Sequence, residues 1–307
     1  MPDSPHADRI GPVAVVGLGR MGSIYASRLV AAGVTTHAFD VDTDATRRLG
    51  EVGAVAGSSV GEVAKAAEVT ILSLPTPAIV EDVVGEALRT GPANPTIVDM
   101  STIDPATSIR LHGLVAEHGG SFLEAPVSGS VMKARDGALT IMVGGSPETL
   151  ERCEPILRVL GSNIVHLGGP GTGQTTKLCN NAIVTVTLCA LAESLLTGVK
   201  AGLDARELRS VICKSSGASW LLENWLASTS FAGDYSPLFA LELLQKDASL
   251  FEQASDELGV PTPVTSVARQ MLGAAAARGL GDRDMTAVVQ LYEELADVAL
   301  LSQADSG

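Results

Sequence analysis

An α/β fold, with an N-terminal Rossmann-type doubly wound parallel sheet followed by an all-α C-terminal domain joined to it by a long helix, is predicted by three features of the sequence. Short Val- and Ile-rich runs alternate with amphipathic stretches as far as residue 167. The first such run opens directly into Gly17-Leu18-Gly19-Arg20-Met21-Gly22. Beyond Lys200 the strand signals stop and only helical periodicity follows.

Residues 12–17 read as a buried parallel strand, 23–32 as a helix, and 34–39 as a second strand ending at Asp40. Together they form the strand, G-x-G-x-x-G, helix, strand unit that binds a dinucleotide, with an acidic residue 18 positions after the third glycine. Gly17 permits the tight turn, Gly19 lets backbone approach a pyrophosphate, and Gly22 lets helix and strand pack closely. The first amides of the helix then offer donors to the phosphates, with Leu18, Arg20 and Met21 completing the turn. The Asp40 carboxylate suits both hydroxyls of an adenosine ribose and repels a 2′-phosphate, and Val41 rather than Arg follows it, so NAD is expected. Arg20, Arg47 and Arg48 keep NADP open.

The alternation continues with a helix over 59–67, a strand over 69–74 ending at Pro75, a helix over 78–88 and a strand over 96–99. Ligands of a doubly wound sheet bind beyond the carboxyl ends of its strands, which sets Leu74, Pro75, Ser101 and Thr102 at the nicotinamide side. Asp104-Pro105 in the same stretch reads equally as a helix N-cap and first helical residue. A strand over 121–125 leads into Pro126-Val127-Ser128-Gly129-Ser130. The amides around Gly129, between two hydroxyls, make either a concavity of donors for a carboxylate or an ordinary Ser/Gly turn. Strands over 138–143 and 164–167 and a helix over 147–160 complete a domain spanning 11–167.

The Gly-rich stretch 168–173 opens a helix over 173–201, roughly 28 residues or about 42 Å long at the α-helical rise. Lys177 and Asn181, four apart, share one face. An ammonium and an amide so placed can hold a polar substrate; they can equally be solvated helix residues. Residues 178–199 reach the length of a membrane span. Asn180, Asn181 and Glu193 interrupt them and no second such segment exists, so a helix buried on several sides is expected. Helices over 205–214, 219–227, 237–258, 264–277 and 285–302 fill a second domain, 168–303. Lys246-Asp247 lies in an apolar run within the third of them and by itself reads as a wet face.

Hydrophobic residues make up 46% of the chain and charged ones 18%, which places it among globular proteins. The net charge of −14 repels nucleic acid phosphates and anionic membranes, so neither is expected as a partner, while a local cationic site still accepts a small anionic substrate. Cys153, Cys179, Cys189 and Cys213 are scattered without a C-x-x-C, so they read as core residues of a reducing, cytoplasmic protein, with no metal site. Residues 1–10 read as a disordered lead-in without an apolar signal core.

Placed in order, these stretches resemble the β-hydroxyacid dehydrogenase family, which includes 3-hydroxyisobutyrate dehydrogenase and tartronate semialdehyde reductase. The likeness covers residues 13–300 and rests on five motifs. They are Gly17-Leu18-Gly19-Arg20-Met21-Gly22, Asp99-Met100-Ser101-Thr102-Ile103-Asp104-Pro105, Ala125-Pro126-Val127-Ser128-Gly129-Ser130, Gly171-Thr172-Gly173 with Lys177 and Asn181, and Lys246-Asp247. The resemblance implies an NAD(P)-dependent oxidoreductase acting on CH–OH groups, moving hydride between nicotinamide and a small hydroxyacid or aldehyde-acid such as 3-hydroxyisobutyrate or the glycerate/tartronate semialdehyde pair. It implies Lys177 as general acid/base with Asn181 as its partner, and Ser128, Gly129 and Ser130 around the substrate carboxylate. Thr102 would meet the nicotinamide end, and Lys246 would reach substrate and cofactor from a helical domain of the 6-phosphogluconate dehydrogenase type. A homodimer or homotetramer is implied as well.

One departure bears on the substrate. The carboxylate loop of 3-hydroxyisobutyrate dehydrogenases usually ends Ser-Gly-Gly, whereas Ser130 here is more like glyoxylate and succinic semialdehyde reductases. The following Lys133-Ala134-Arg135-Asp136-Gly137-Ala138-Leu139-Thr140 is more similar to the tartronate semialdehyde type, which leaves the substrate open among these. Imine reductases share the architecture but generally carry another residue type where Lys177 stands. A non-catalytic NAD-binding protein on this fold would not be expected to keep Lys177, Asn181, Ser128 and Lys246 together.

Overall fold

The computed structural model describes residues 10–301, so the lead-in expected at the N-terminus, residue 10 apart, and residue 302, where the last helix was expected to end, lie outside the described residues. The chain divides into two compact units between Lys177 and Leu178.

The first unit is built on a six-stranded parallel sheet in the order β3-β2-β1-β4-β5-β6. Its strands are β1 (Val13–Val16), β2 (Thr36–Phe39), β3 (Val55–Ala56), β4 (Val69–Leu72), β5 (Thr96–Asp99) and β6 (Ser121–Glu124). Helices α1 (Arg20–Ala31), α2 (Thr43–Glu51), α3 (Val60–Lys65), α4 (Pro77–Thr90) and α5 (Pro105–Glu117) connect them. Every residue of β1 and β4 is buried, as expected for strands covered on both faces. The period-2 alternation of a strand sorts β1 cleanly between two cores. Val13 and Val15 pack with Tyr25, Leu29 and Ile71 on one side, while Ala14 and Val16 pack with Leu72, Val80 and Val84 on the other. The switch of direction between β1 and β4 gathers the carboxyl ends of β1, β4, β5 and β6 side by side, as in a doubly wound nucleotide-binding sheet.

Later strands depart from the expected pattern. β7 (Val127–Ser128), β8 (Thr140–Val143) and β9 (Asn163–His166) form a separate three-stranded sheet in which β7 runs antiparallel to β8 and β9 parallel to it. A parallel neighbour in the first sheet needs a crossover of about a dozen residues, and only Ala125 and Pro126 separate β6 from β7. Helices α6 (Ser130–Asp136) and α7 (Pro147–Leu160) complete this part. The short elements β3, β7 and α6 carry too few residues to show periodicity. Helix α1 begins at Arg20, three residues before the expected start, because Gly19 already serves as its N-cap.

Helix α8 (Thr172–Lys200, 29 residues) runs through the division between the units. Beyond it, the second unit contains α9 (Ala205–Ile212), a π-helical turn at Leu221–Trp225 running into α10 (Leu226–Ser228), then α11 (Leu241–Glu257), α12 (Pro263–Ala275) and α13 (Val288–Ala296). Its core joins Leu188, Leu195, Trp225, Leu244, Leu272 and Leu291. By length and composition α8 is the one helix among the described residues able to cross a membrane; its apolar residues from 188 to 196 fill the core of the second unit instead.

Two helices fall short of their sequence periodicity by more than a turn, α11 and α13. Residues 237–240 stay out of α11 because the buried Asp284 carboxylate accepts the N–H groups of Leu238 and Phe239, and Ala240 bridges to Asp284. Helix α13 stops at Ala296, where Asp297 turns into the left-handed region at φ 49°. The cysteines divide: Cys153 and Cys189 are buried, whereas Cys179 is exposed, contrary to the expectation of a core residue.

Candidate active site

At the carboxyl end of β1 the Gly-rich turn has the geometry its glycines require. Gly17 lies at φ +89°, and a Cβ there would sit 2.3 Å from the Ser73 carbonyl oxygen. A Cβ on Gly22 would come within 1.8 Å of the Gly17 oxygen, so α1 packs on the turn only without a side chain. Gly19 differs: nothing lies within 4 Å of its hypothetical Cβ, and it is exposed, leaving backbone bare where a pyrophosphate would approach. No acidic residue occupies the first turn of α1. Asp40 folds toward the turn, its carboxylate accepting the N–H of Leu18 at 2.6 Å and that of Asp42 at 2.8 Å. Arg47 is spent on Asp44 and Glu51, and Arg48 on Asp42, all on the exposed side of α2. This turn fits a dinucleotide with a free 2′-hydroxyl.

A buried network ties three distant stretches to the first turn of α8. Glu124, fully buried at the end of β6, accepts hydrogen bonds from Gly171 N–H at 3.0 Å, Gly173 N–H at 2.7 Å and Gln174 N–H at 3.4 Å, and from the Ser108 hydroxyl. The first N–H groups of a helix lack intrahelical partners, and Gly171, which precedes α8, has no side chain to cap them. Glu124 supplies the cap from 47 residues away. Burial pushes its carboxyl above the usual carboxylate range, opposed by the Ser108 hydroxyl and the three amides. Gln174, also fully buried, donates to the Ser101 carbonyl at 2.9 Å and accepts from Ile103 N–H at 3.2 Å. Ser101 in turn accepts the N–H of Leu74.

Lys177 follows Gln174 by three residues and is 8% exposed. One turn further along α8, Asn181 is buried and its amide is fixed at both ends. Asn180 donates to its oxygen at 2.9 Å, and its nitrogen donates to Asp247 at 2.6 Å. Lys246 Nζ lies 3.1 Å from the other oxygen of Asp247. The Lys246-Asp247 pair is therefore no wet face: Asp247 is 1% exposed and joins Lys246 to Asn181 within the second unit.

Of the other candidates, Thr102 and Leu74 are half-buried and Pro75 is exposed at the ends of β5 and β4, while Ser101 spends its hydroxyl within the fold. Arg20 is exposed, Met21 half-buried and Leu18 buried in the turn. Ser128 ends β7 rather than lying in a free turn. Gly129 has φ +135° and Ser130 φ +61°, a left-handed conformation that costs a non-glycine residue about 1 kcal/mol. Two residues were missed: Glu124 and Gln174 carry no local signal except polarity inside otherwise apolar or small-residue runs, while Asp247 was legible only as half of the Lys246-Asp247 motif and not as the partner of Asn181.

The bare Gly-rich turn, the doubly wound sheet and the helical second unit define a dinucleotide-dependent oxidoreductase. Residues 12–168 match the family described as the NAD binding domain of 6-phosphogluconate dehydrogenase, and residues 171–292 that described as the NAD-binding of NADP-dependent 3-hydroxyisobutyrate dehydrogenase. The 2-(hydroxymethyl)glutarate dehydrogenase of Eubacterium barkeri is 37% identical over 291 residues, 94% of this chain and 97% of that protein. An NAD-dependent L-serine dehydrogenase of Pseudomonas aeruginosa is 34% identical, covering 92% of this chain and 97% of its own. The solved Mycobacterium tuberculosis 3-hydroxyisobutyrate dehydrogenase with L-serine superimposes with a TM-score of 0.86 at 32% identity, covering 92% of this chain and 99% of that one. The chain belongs to the β-hydroxyacid dehydrogenase family and is an NAD(P)-dependent oxidoreductase acting on hydroxyl groups.

Proposed function

We propose that this protein oxidises the primary hydroxyl of a small 3-hydroxycarboxylate with NAD, and catalyses the reverse reduction, with Lys177 as general acid/base. The observation that carries this reading is the placement of Lys177, mostly buried, one turn beyond the anchored start of α8 and one turn before the fixed amide of Asn181. In oxidation Lys177 takes the hydroxyl proton, and in reduction it returns that proton to the carbonyl oxygen. Asn181, oriented by Asp247, donates to the same substrate oxygen. Ser128 and the amides of Gly129 and Ser130 receive the carboxylate, and Lys246 adds positive charge on the substrate and cofactor side. Gly17, Leu18, Gly19, Arg20, Met21 and Gly22 hold the pyrophosphate, Asp40 the ribose, and Leu74, Pro75 and Thr102 the nicotinamide end. The nicotinamide, when bound, accepts or supplies the hydride.

The substrates in the names of three relatives point to the skeleton. 2-(Hydroxymethyl)glutarate, L-serine and 3-hydroxyisobutyrate all carry a CH2OH group on the carbon next to a carboxylate and differ in the third substituent. Ser130 bears on that substituent or on the carboxylate, since its hydroxyl is kept in a backbone conformation that favours glycine. Free cysteines support a cytoplasmic location. A homodimer or homotetramer is proposed from apolar side chains left open on α8 and α12, Ile183 at 69% and Val264 and Val267 at 63% exposure, and light scattering on the purified protein tests it.

The test of function is NAD reduction, with NADP in parallel, against 3-hydroxyisobutyrate, L-serine, 2-(hydroxymethyl)glutarate, glycerate, threonate, 4-hydroxybutyrate and glycolate. Lys177→Ala is expected to lower kcat by about 10²- to 10⁴-fold on the substrate that turns over. Activity indifferent to Lys177, or no turnover of any compound, refutes the reading.

A further inference from the structure

The side chain of Gln174 is used entirely within the first unit. Its amide nitrogen donates to the Ser101 carbonyl and its oxygen accepts from Ile103 N–H, so the two bonds bracket Thr102. The residue is 0% exposed. A neutral amide alone among the side chains offers a donor and an acceptor at the spacing of a peptide group. Its own backbone N–H is held in turn by Glu124, which also takes Gly171 and Gly173, so the base of the side chain is as fixed as its tip. Lys177 stands three residues on, about 4.5 Å along the helix axis and on a neighbouring position of its surface.

We infer that Gln174 is a positioning residue: its carboxamide locks residues 101–103 to the turn of α8 that carries Lys177, and so sets the nicotinamide end of the cofactor site against the proton-transferring group. The inference rests on the dehydrogenase reading of Lys177. Hydride and proton leave the same hydroxymethyl group, so the reaction needs both acceptors placed together, and a misplacement of about 1 Å costs on the order of 100-fold in rate.

Gln174→Met keeps the volume and removes both polar contacts. It is expected to lower kcat roughly 10- to 100-fold, while the NAD dissociation constant stays within about threefold. The primary isotope effect on kcat with substrate deuterated at the hydroxymethyl carbon should rise, because hydride transfer becomes limiting. Hydrogen exchange supplies a readout that needs no turnover: the Ile103 amide should exchange slowly in the wild type and markedly faster in Gln174→Met. If that variant does not fold, Gln174→Asn, one methylene too short to make both bonds, takes its place in the same measurements. Unchanged kcat and isotope effect in a folded variant, or an Ile103 amide that exchanges in the wild type like an open loop, overturns the inference. Wild-type protein that turns over no hydroxyacid defeats the dehydrogenase reading instead, and with it the catalytic meaning of the lock, while the exchange rate still decides whether the lock exists.

Discussion

Glu124→Gln tests how the start of α8 is held, because the change is isosteric and its cost can be worked from four contacts. In the wild type Oε2 accepts from the Ser108 hydroxyl and Gly171 N–H, and Oε1 accepts from the N–H groups of Gly173 and Gln174. A carboxamide has a single acceptor oxygen. With that oxygen left on Gly173 and Gln174, its amino group faces Ser108, whose hydroxyl can rotate to accept, and Gly171, whose N–H cannot. At least two buried donors, the Gly171 N–H and the amide hydrogen turned toward it, are left unpaired, at about 1–3 kcal/mol or more. Loss of the negative charge at the start of a 29-residue helix adds about 0.5–1 kcal/mol. Relief of the burial penalty that raises this carboxyl's pKa offsets part of both. A net destabilisation of about 2 kcal/mol is expected. Two units need not unfold together, so urea denaturation is best followed at the amides of Gly171, Gly173 and Gln174 by hydrogen exchange. A variant within about 0.5 kcal/mol of wild type, with those amides equally protected, would falsify the cap.

Three further outcomes are expected. Gly19→Ala should fold normally, since its Cβ meets nothing within 4 Å, yet weaken NAD binding by on the order of tenfold; Gly22→Ala, with its Cβ 1.8 Å from a backbone oxygen, should fail to give a folded first unit. Circular dichroism with cofactor titration separates the two, and equal behaviour of the pair would sink the reading of the turn. Asp40→Ser should shift the ratio of kcat/KM for NAD over NADP by at least about tenfold toward NADP, and an unmoved ratio would show that Asp40 does not contact the ribose. The His112 ring lies half-buried and edge-on against Phe122, and desolvation pushes its pKa down to about 4. The unfolded chain thus binds a proton that the folded one refuses between about pH 6.5 and 4, so the stabilisation is whole above 6.5 and is lost as pH falls through that window. The loss is at most about 3 kcal/mol, less for the ring's remaining exposure. His112→Leu should flatten the stability profile there, and a slope unchanged in the variant would place its cause elsewhere.

The sequence by itself determined what depends on neighbours within a turn or two. Gly17 and Gly22 announced the turn because a positive φ at one and close packing on the turn at the other are constraints set within a few residues, and Asp104-Pro105 announced α5, whose first turn Asp104 caps through Thr107 N–H at 2.7 Å. The strand at Thr96–Asp99 and the helix at Pro147–Leu160 were legible to the residue, since hydrophobic period and capping residue agree there. Lys177 and Asn181 could be set on one face by spacing, and the family's motifs gave them a role. Tertiary structure decided the rest. The separate sheet of β7, β8 and β9 follows from how little chain lies between β6 and β7, and the late start of α11 follows from Asp284 holding two amides from 46 and 45 residues away. Glu124, Gln174 and Asp247 find their site partners 47 to 50, 71 to 73 and 66 residues away in sequence. Such bonds have no period and no spacing to read. They exist because a polar group that folding buries must find a partner wherever the packed chain brings one, and in this protein that requirement connects the strand ends, the Thr102 loop and the Lys177 turn within the first unit.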